Sequence, residues 1–504
     1  MNFAINMKSV VCKLWLALLM GALVQVSLLD KVHAQDKKRP IAKAVLKPVV
    51  KIPELPLDSY IGQVHSGNGA LRGSEAAIEG ASLRADEYKL LTRPTLVGNA
   101  LYFDDRTESG SSVIGNIKRG YNYSLGIRQV TEFGLAGTLS YKFGWASAPE
   151  ANPLFVNPTS YYTGSPVLEL NQSLWRNGFG REIRASKQLQ QALSLAAKYG
   201  NSYQQKELIA GAEASYWRLA LAREAVDLAK DNLQRAERLR GWSGGRQRSG
   251  LADRSDSLQA STAYLARELE LRAALDEEKA ASRAFNTMRG VDSDIVDEVL
   301  TAFTSDVIDA RMRLPDRSDM RDDVKAAEQN ARMAEAQAKL GAEKNRPLVD
   351  VYGSLAHTGR DAASYPTTKE SLGNDHPNYA VGVKLEVPLD MFTTSDNVKG
   401  YNAEARAAKL VYDRRKFESE RLWKDLSIGL QDSLARYKLA SEIEKAQREK
   451  MDYERVRHGR GRTTTFQVIQ FETDYATAQL NRIRTQFDIL NQYAKLRTFA
   501  GGSQ

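Results

Sequence analysis

Residues 250–290 read GLADRSDSLQASTAYLARELELRAALDEEKAASRAFNTMRG, and residues 461–501 read GRTTTFQVIQFETDYATAQLNRIRTQFDILNQYAKLRTFAG. Both stretches extend 40 positions from glycine to glycine. Several apolar residues fall in register between the two copies: Leu258 with Ile469, Tyr264 with Tyr475, and Leu269 with Leu480. Upstream of each copy a helical pattern ends at an Arg-Pro pair, residues 93–94 and 346–347. The sequence therefore predicts a duplicated unit of one helix, two strands and two further helices.

The helices of this unit are too long for an ordinary globular domain. No proline interrupts residues 181–240, and at ~1.5 Å per residue this helix would be about 90 Å long. Its apolar rows repeat every seven residues, which is the period of side-by-side helix packing. One row is Ala212, Leu219, Val226 and Leu233, and the other is Ser215, Ala222, Ala229 and Ala236. The small second row favours a tight wall or tube of helices, and an ordinary antiparallel coiled coil is the alternative for any single helix.

Between the helices, apolar and polar residues alternate as they do in β-strands. The alternation runs from Tyr121 to Ile127, from Phe133 to Trp145 and from Tyr379 to Leu389. Strands of about 9–11 residues cross a bilayer obliquely. A soluble sheet with one buried face is the alternative, but the long helices pack on each other and leave little apolar surface to cover it. Four to six strands are too few for a barrel, whose smallest outer-membrane form has about eight, so several chains would pool them.

The beginning of the sequence has the pattern of an export signal. Lys8 and Lys13 precede a short apolar run, and Val32-His33-Ala34 offers a small-residue cleavage site, so residues 1–34 are predicted to be a signal peptide. A retained membrane anchor is disfavoured because the apolar run is short. Residues 35–57 are predicted to be a basic, proline-rich tether. Most of the formal charge of +9 lies in these two segments, so the folded body is not predicted to bind nucleic acid.

No local motif predicts catalysis or a cofactor. Residues 241–245, GWSGG, fit the G-x-S-x-G pattern of hydrolases, but that pattern needs a preceding strand and here follows a long helix. We interpret it as part of a flexible tip turn over residues 241–254, matched by a second turn over 458–463. The five histidines, none paired at helical spacing, predict no metal site: His33, His65, His357, His376 and His458. The only cysteine, Cys12, lies in the signal segment, so no disulfide is predicted.

Taken together, these residues resemble the TolC-like outer-membrane channels of bacterial efflux pumps and type I secretion systems. The resemblance covers about residues 57–501 and is carried by four segments: the helix ending at Arg93-Pro94, LELNQSL at 168–174, the tip Gly250-Leu251-Ala252, and the closing helix of 461–501. It implies a mainly α-helical protein with a membrane β-barrel. Three chains with four strands each would share a 12-stranded barrel in the cell outer membrane, above a trimeric α-helical tunnel in the periplasm.

The resemblance also implies partners and a division of the chain. The tunnel would meet a periplasmic adaptor protein and, through it, an inner-membrane RND or ABC transporter, while the barrel contacts outer-membrane lipid. The first repeat would comprise residues 58–290, an equatorial linker 291–318, and the second repeat 319–501. The first repeat departs from the family pattern by extra residues that include the alternating hairpin near 121–145, and the sequence leaves its place open.

The resemblance places the functional sites at the tips of the long helices. The candidates for the tunnel entrance are Ser255, Asp256, Gln467, Gln470, Arg460 and Arg462, and those for the tip turns are Gly250, Leu251 and Gly461. Family members often have acidic residues where Gln467 and Gln470 stand, so this mouth is expected to be less cation-selective, although Asp256 keeps a carboxylate. A periplasmic adaptor and a structural coiled-coil protein are the alternative functions. The first usually has one helical hairpin between compact β domains, and the second gives the alternating strands no role.

Overall fold

The computed structural model describes residues 54–107, 113, 117–301, 307–308, 313–373 and 377–501. The predicted signal peptide (1–34), most of the predicted tether (35–57) and part of the predicted linker (291–318) lie outside the described residues.

The described chain consists of α-helices and β-strands arranged in two similar repeats. The α-helices are α1 (Leu57–Gly67), α2 (Gly69–Leu83), α3 (Arg181–Arg248), α4 (Arg254–Met288), α5 (Asp322–Lys344), α6 (Ser364–Ser371), α7 (Met391–Gly459) and α8 (Thr465–Arg497). The strands are β1 (Glu54–Leu55), β2 (Thr95–Asp105), β3 (Lys118–Val130), β4 (Leu135–Ser147), β5 (Ser160–Ser173), β6 (Val299–Leu300), β7 (Leu348–His357), β8 (Gly359–Asp361) and β9 (Pro377–Glu386).

Two helices of exceptional length dominate the fold. The helices α3 and α7 contain 68 and 69 residues, so each is about 100 Å long at ~1.5 Å per residue. Each reverses through a short turn into a helix about half as long, α4 or α8. The predicted long helices and the predicted pairs are therefore confirmed. Within the described part of the chain, none of the helices is both long and apolar enough to span a membrane.

A glycine in the left-handed backbone region closes each hairpin turn. Gly250 has a φ of +69° and Gly461 a φ of +71°. The amide of the next residue donates to the carbonyl five positions earlier, from Leu251 to Arg246 at 2.9 Å and from Arg462 to Arg457 at 3.0 Å. This pattern supplies hydrogen-bond donors to carbonyls at the helix end. It needs a positive φ at the turn residue, which glycine adopts at low steric cost because it has no Cβ. The two repeats thus end their long helices by the same device.

The tip turns are shorter than the sequence predicts. Helix α3 continues to Arg248, so the GWSGG segment at 241–245 is helical and the prediction of a turn beginning at 241 is wrong. Glycine costs a helix roughly 1 kcal/mol relative to alanine. Tertiary contacts offset this cost, because the Trp242 ring packs on His458 and Ser243 is buried. Helix α7 likewise runs to Gly459, which leaves only residues 460–464 for the second turn.

An aromatic core joins the short first helix to the first long hairpin. Tyr60 of α1, Tyr216 of α3 and Phe285 of α4 are fully buried. The Tyr60 ring stacks on Phe285 with centroids 4.1 Å apart and lies 5.6 Å from the Tyr216 ring. Burial raises the pKa of Tyr60 to about 12, against the lowering effect of its hydrogen bond with Ser215. The hydroxyl therefore stays protonated and donates to the Phe285 carbonyl at 3.0 Å.

Partly buried ion pairs join the two repeats along the helices. Arg482 of α8 binds Glu224 of α3 at 2.7 Å and Glu444 of α7 at 2.5 Å. Burial alone would lower the pKa of Arg482, but the two carboxylates raise it. Arg497 of α8 binds Glu213 of α3 at 2.9 Å, and the Glu213 side chain is buried. Charge-assisted hydrogen bonds between partly buried groups are stronger than neutral ones, so these contacts hold α8 between the long helices.

The main sheet has the strand order β2-β3-β4-β5-β7-β9, with β8 paired to β5. The alternating hairpin near 121–145 is β3–β4 and lies inside this sheet, between β2 and β5. The prediction of four strands per chain is wrong for the described sheet, which contains six long strands and a short one. A total of 12 strands for three chains therefore does not follow from this protomer. The strands β1 and β6 pair separately, in parallel.

Two strand boundaries also differ from the sequence pattern. Phe133 lies in the turn before β4, and β9 ends at Glu386, before Val387. Pro388 follows and has no backbone N–H to donate to a ladder. The local alternation therefore identifies the strands but extends these two beyond their observed ends.

Gly290 and Gly250 offer a matched test of close backbone approach. Both have a positive φ, +75° and +69°, where a Cβ costs about 1–2 kcal/mol. A Cβ on Gly290 would lie 2.4 Å from the Gly67 carbonyl oxygen, whereas one on Gly250 meets nothing within 4 Å. Gly290→Ala is therefore expected to lower the thermal unfolding temperature, measured by circular dichroism, more than Gly250→Ala does. Equal shifts would contradict the tight contact between α1 and the end of α4.

Candidate functional site

The ends of the long helices farthest from the sheet form a common tip. Leu239 of α3, Ala260 of α4 and Val468 of α8 form a buried apolar cluster there. Trp242 of α3 packs against His458 of α7 with ring centroids 4.2 Å apart. The turns of both repeats are therefore held side by side by contacts that cross from one repeat to the other.

The electrostatics of this tip centre on His458. Burial lowers the pKa of the imidazole, and the nearby Arg246 lowers it further, while Asp256, Glu454 and Glu472 act in the opposite direction. The net shift is downward, so the ring is neutral at neutral pH and packs as an aromatic group. The guanidinium of Arg246 lies 4.8 Å from the centre of the Trp242 ring, within the range of a cation–π contact.

The predicted tunnel-entrance residues lie around the two turns of this tip. Ser255 and Asp256 stand in the first turn of α4, and Asp256 is half-buried while Ser255 is exposed. Arg460 and Arg462 lie exposed in the second turn. The tip-turn candidates Gly250, Leu251 and Gly461 are all exposed. The structure thus brings every one of these candidates to the same end of the helices.

Gln467 and Gln470 are exposed at the start of α8. The backbone N–H of Gln467 donates to the hydroxyl of the N-capping Thr464 at 3.3 Å, and its side chain accepts from the Thr463 hydroxyl. Gln470 donates through Nε2 to Asp474 at 3.1 Å. In the protomer both side-chain amides therefore form hydrogen bonds to residues nearby in the sequence.

Sequence reasoning missed two acidic residues that follow these glutamines on α8, Glu472 and Asp474. Glu472 accepts two hydrogen bonds from Arg455 of α7, at 3.1 and 2.8 Å. Asp474 lies 3.7 Å from the Lys450 ammonium of the same helix. These contacts tie α7 to α8 just behind the tip. Asp474 lies four residues after Gln470, and this helical spacing is the sequence signal that points to it.

The sheet forms the second part of the site and has two different faces. Residues paired directly across neighbouring strands point to the same side. One row of paired residues crosses all six long strands: Leu96, Ile127, Leu139, Leu168, Leu355 and Tyr379. Each member of this apolar row is more than a third exposed in the protomer. A contiguous exposed apolar face of this kind marks an interaction surface.

We expect the tip contact to respond to pH through His458. Because folding lowers the pKa of His458 from its ordinary value of 6.5, an opened tip binds the proton first as pH falls. The contact is therefore stable above pH ~6.5 and weakens below it. We expect the emission of Trp242, obtained by subtracting a Trp242→Phe variant, to change as the pH is lowered to about 5.

The pH response of Trp242 should be absent in His458→Gln, which cannot be protonated in this range. His65→Gln removes an exposed histidine elsewhere and should keep the response of the parent protein. A response that persists in His458→Gln would contradict this assignment.

Comparisons with known proteins were made on the sequence and on the fold. Residues 318–502 match the family described as outer membrane efflux protein. No curated protein sequence matches the chain significantly.

Several solved outer-membrane channels have a similar fold at low sequence identity. The outer-membrane channel OprN has a TM-score of 0.62 and 18% identity, with 88% of this chain and 90% of that chain covered. The Campylobacter jejuni outer membrane channel CmeC has a TM-score of 0.61 and 12% identity over 88% and 84%. The Vibrio cholerae outer membrane protein VceC has a TM-score of 0.62 and 14% identity over 88% and 96%.

These matches confirm the resemblance that the duplicated sequence suggests. Sequence identities this low support a similar fold and nothing further, whereas the family match covers the second repeat. Residues 318–502 thus match the outer membrane efflux protein family, and the chain as a whole is similar in fold to the solved outer-membrane channels.

Proposed function

We propose that this chain forms a passive exit duct in the outer membrane, which serves a tripartite efflux pump or a type I secretion system. The observation that carries the proposal is the two-part protomer. A sheet with an exposed apolar face continues directly into helical hairpins about 100 Å long, which end in a polar tip. Such a molecule can lie with the sheet in lipid and the helices in water. Small molecules or protein cargo would move through the space that the assembled chains enclose.

The duct is a homotrimer in this proposal. Six long strands are too few to close around their own side chains, so neighbouring copies must supply the missing wall. The resemblance to the TolC-like channels supports three copies. The helices of the three chains would line a periplasmic tunnel, with residues 58–290 and 319–501 as its two similar halves and 291–318 crossing between them.

The tip is the proposed docking surface for a periplasmic adaptor protein. The exposed Gly250, Leu251 and Gly461 lie at the greatest distance from the sheet along the helices, where a partner from the inner membrane would reach the duct. An inner-membrane RND or ABC transporter would act through this adaptor. The exposed apolar row disfavours the two alternatives, because neither a soluble adaptor nor a secreted coiled-coil protein covers it.

The trimeric duct can be tested in detergent and in planar bilayers. Outer membranes extracted with detergent should yield heat-sensitive trimers, and purified trimers should conduct ions across a lipid bilayer. A stable monomer without barrel-type circular dichroism would contradict the proposal, and so would trimers without conductance.

The tunnel entrance can be tested by charge. We propose that Gln467 and Gln470 line the mouth, where neutral amides hold no fixed charge and Arg460 and Arg462 offset Asp256. Replacing both glutamines with aspartate should raise cation selectivity and make the current sensitive to divalent ions. Gln204→Asp adds a negative charge on α3 far from the tip and should leave selectivity unchanged. If the double variant conducts like the parent protein, these positions lie outside the pore.

A further inference from the structure

The hairpin β3–β4 is the part of the sheet that the proposed function leaves unused. It separates β2 from β5, and the pairing is continuous on both sides. The strands β2 and β3 pair from Thr95–Arg128 to Asp105–Lys118, and β4 and β5 pair from Leu135–Gln172 to Ser147–Ser160. The hairpin is therefore as fully hydrogen-bonded into the sheet as its neighbours.

We propose that this hairpin is part of the membrane-spanning wall, so that each protomer supplies six strands and three copies close an 18-stranded barrel. The inference rests on the proposed function, because it presupposes a trimer inserted in the outer membrane. Its partners are the lipid acyl chains on the apolar face of the hairpin and a second copy of this chain at each sheet edge.

The apolar row that faces one side of the sheet passes through the hairpin without a break. Ile127 of β3 and Leu139 of β4 lie in this row between Leu96 and Leu168. Ile127 is 55% exposed and Leu139 61% exposed in the protomer. A hairpin standing outside the membrane would hold these side chains in water. Inside the wall, lipid covers them together with the rest of the row.

A row of aromatic residues crosses the same strands at a second level. Tyr102, Tyr121, Trp145 and Tyr162 are paired directly across β2, β3, β4 and β5. This aromatic row lies six residues along every strand from the apolar row, or about 20 Å. Membrane barrels carry girdles of aromatic residues at the edges of an apolar band about 25 Å tall. The hairpin thus supplies two of the four members of one continuous girdle.

The opposite face of the same four strands carries a polar row. Asn99, Ser124, Lys142 and Ser165 are paired directly across β2 to β5, and Lys142 lies 3.3 Å from Glu169. Alternation of an apolar outer face with a polar inner face is the pattern of a barrel wall around water. Both faces of β3 and β4 follow this pattern.

The hairpin is also held at the end of the sheet where the helices begin. The carboxylate of Glu132, in the β3–β4 turn, binds the Lys187 ammonium of α3 at 2.9 Å. The backbone of Gly134 approaches that of Gly180 so closely that a Cβ on Gly134 would lie 2.9 Å from the Gly180 nitrogen. The β3–β4 turn therefore lies against the start of the first long helix.

Strand number and direction permit closure with six strands per chain. In the antiparallel sheet the outermost strands β2 and β9 run in opposite directions, so β9 of one copy can pair with β2 of the next in the same antiparallel pattern. Barrel diameter grows roughly linearly with strand number. An 18-stranded barrel is therefore about 1.5-fold wider than the 12-stranded one implied by four strands per chain. The membrane exit would pass correspondingly bulkier cargo.

The environment of the hairpin can be measured with single cysteines. The only native cysteine, Cys12, lies in the predicted signal peptide, so Leu125→Cys, Ser124→Cys and Val381→Cys can each carry one nitroxide label. Trimers in phospholipid vesicles are probed with oxygen, which concentrates in lipid, and with a nickel complex, which stays in water. We expect the labels at 125 and 381 to collide mainly with oxygen and the label at 124 mainly with nickel.

The label on β9 separates the two possible failures. If the label at 381 reports lipid and the label at 125 reports water, the hairpin lies outside the wall and this inference is overturned while the proposed duct stands. If the label at 381 also reports water, the proposed membrane insertion itself fails, and the inference with it.

Removal of the hairpin tests the width of the barrel. Deletion of residues 108–147 removes two strands together and leaves β2 antiparallel to β5. The largest neutral polymer that enters trimers from the outer side should become about 1.5-fold smaller in diameter. An unchanged polymer size cutoff in trimers of the deletion variant would overturn the inference. If that variant does not form trimers, the lipid or water exposure of the label at 125 decides whether the hairpin lies in the wall.

Discussion

The two free edges of the sheet are the constraint on which the rest of this structure depends. The outermost strands β2 and β9 present backbone N–H and C=O groups along 11 and 10 residues. In lipid such groups need partners, because no water is present to bind them. Six long strands cannot curl far enough to supply those partners to each other. In the proposed duct the protomer is therefore half of an interface at each edge, and copies join along both edges.

In the proposed duct the helices must also allow the copies to fit side by side. A shared tube needs helices that are long, nearly parallel and fixed relative to the sheet. The chain meets this need by duplication, with two long hairpins closed by the same glycine turn and joined by Arg482, which binds both long helices at once. The aromatic contacts of Tyr60 then hold the short α1 against the first hairpin. The result is a stiff protomer in which tip and sheet are joined through continuous helices.

Function in this proposal lies in surfaces, with no reactive centre. The apolar row on the sheet and the polar turns at the tip lie at opposite ends of helices about 100 Å long. The chemistry of each surface suits its surroundings, with leucines and aromatics toward lipid and exposed glutamines and arginines toward an aqueous mouth. Ser243 illustrates the point, since it fits a hydrolase pattern in sequence but lies buried within a helix.

The amino-acid sequence by itself determined the duplication, the long helices, the alternating strands and the position of Gly250 and Gly461 at the hairpin ends. These features are local, because heptad spacing, period-two alternation and glycine turns depend on residues close together in the sequence. The entrance candidates remain predictions, which the structure gathers at one exposed tip. Tertiary structure alone decided that α3 continues through GWSGG, since the packing of Trp242 on His458 joins residues far apart in the chain. It also decided the place of β3–β4, because alternation shows that a segment is a strand but strand pairing depends on which distant backbone completes its hydrogen bonds.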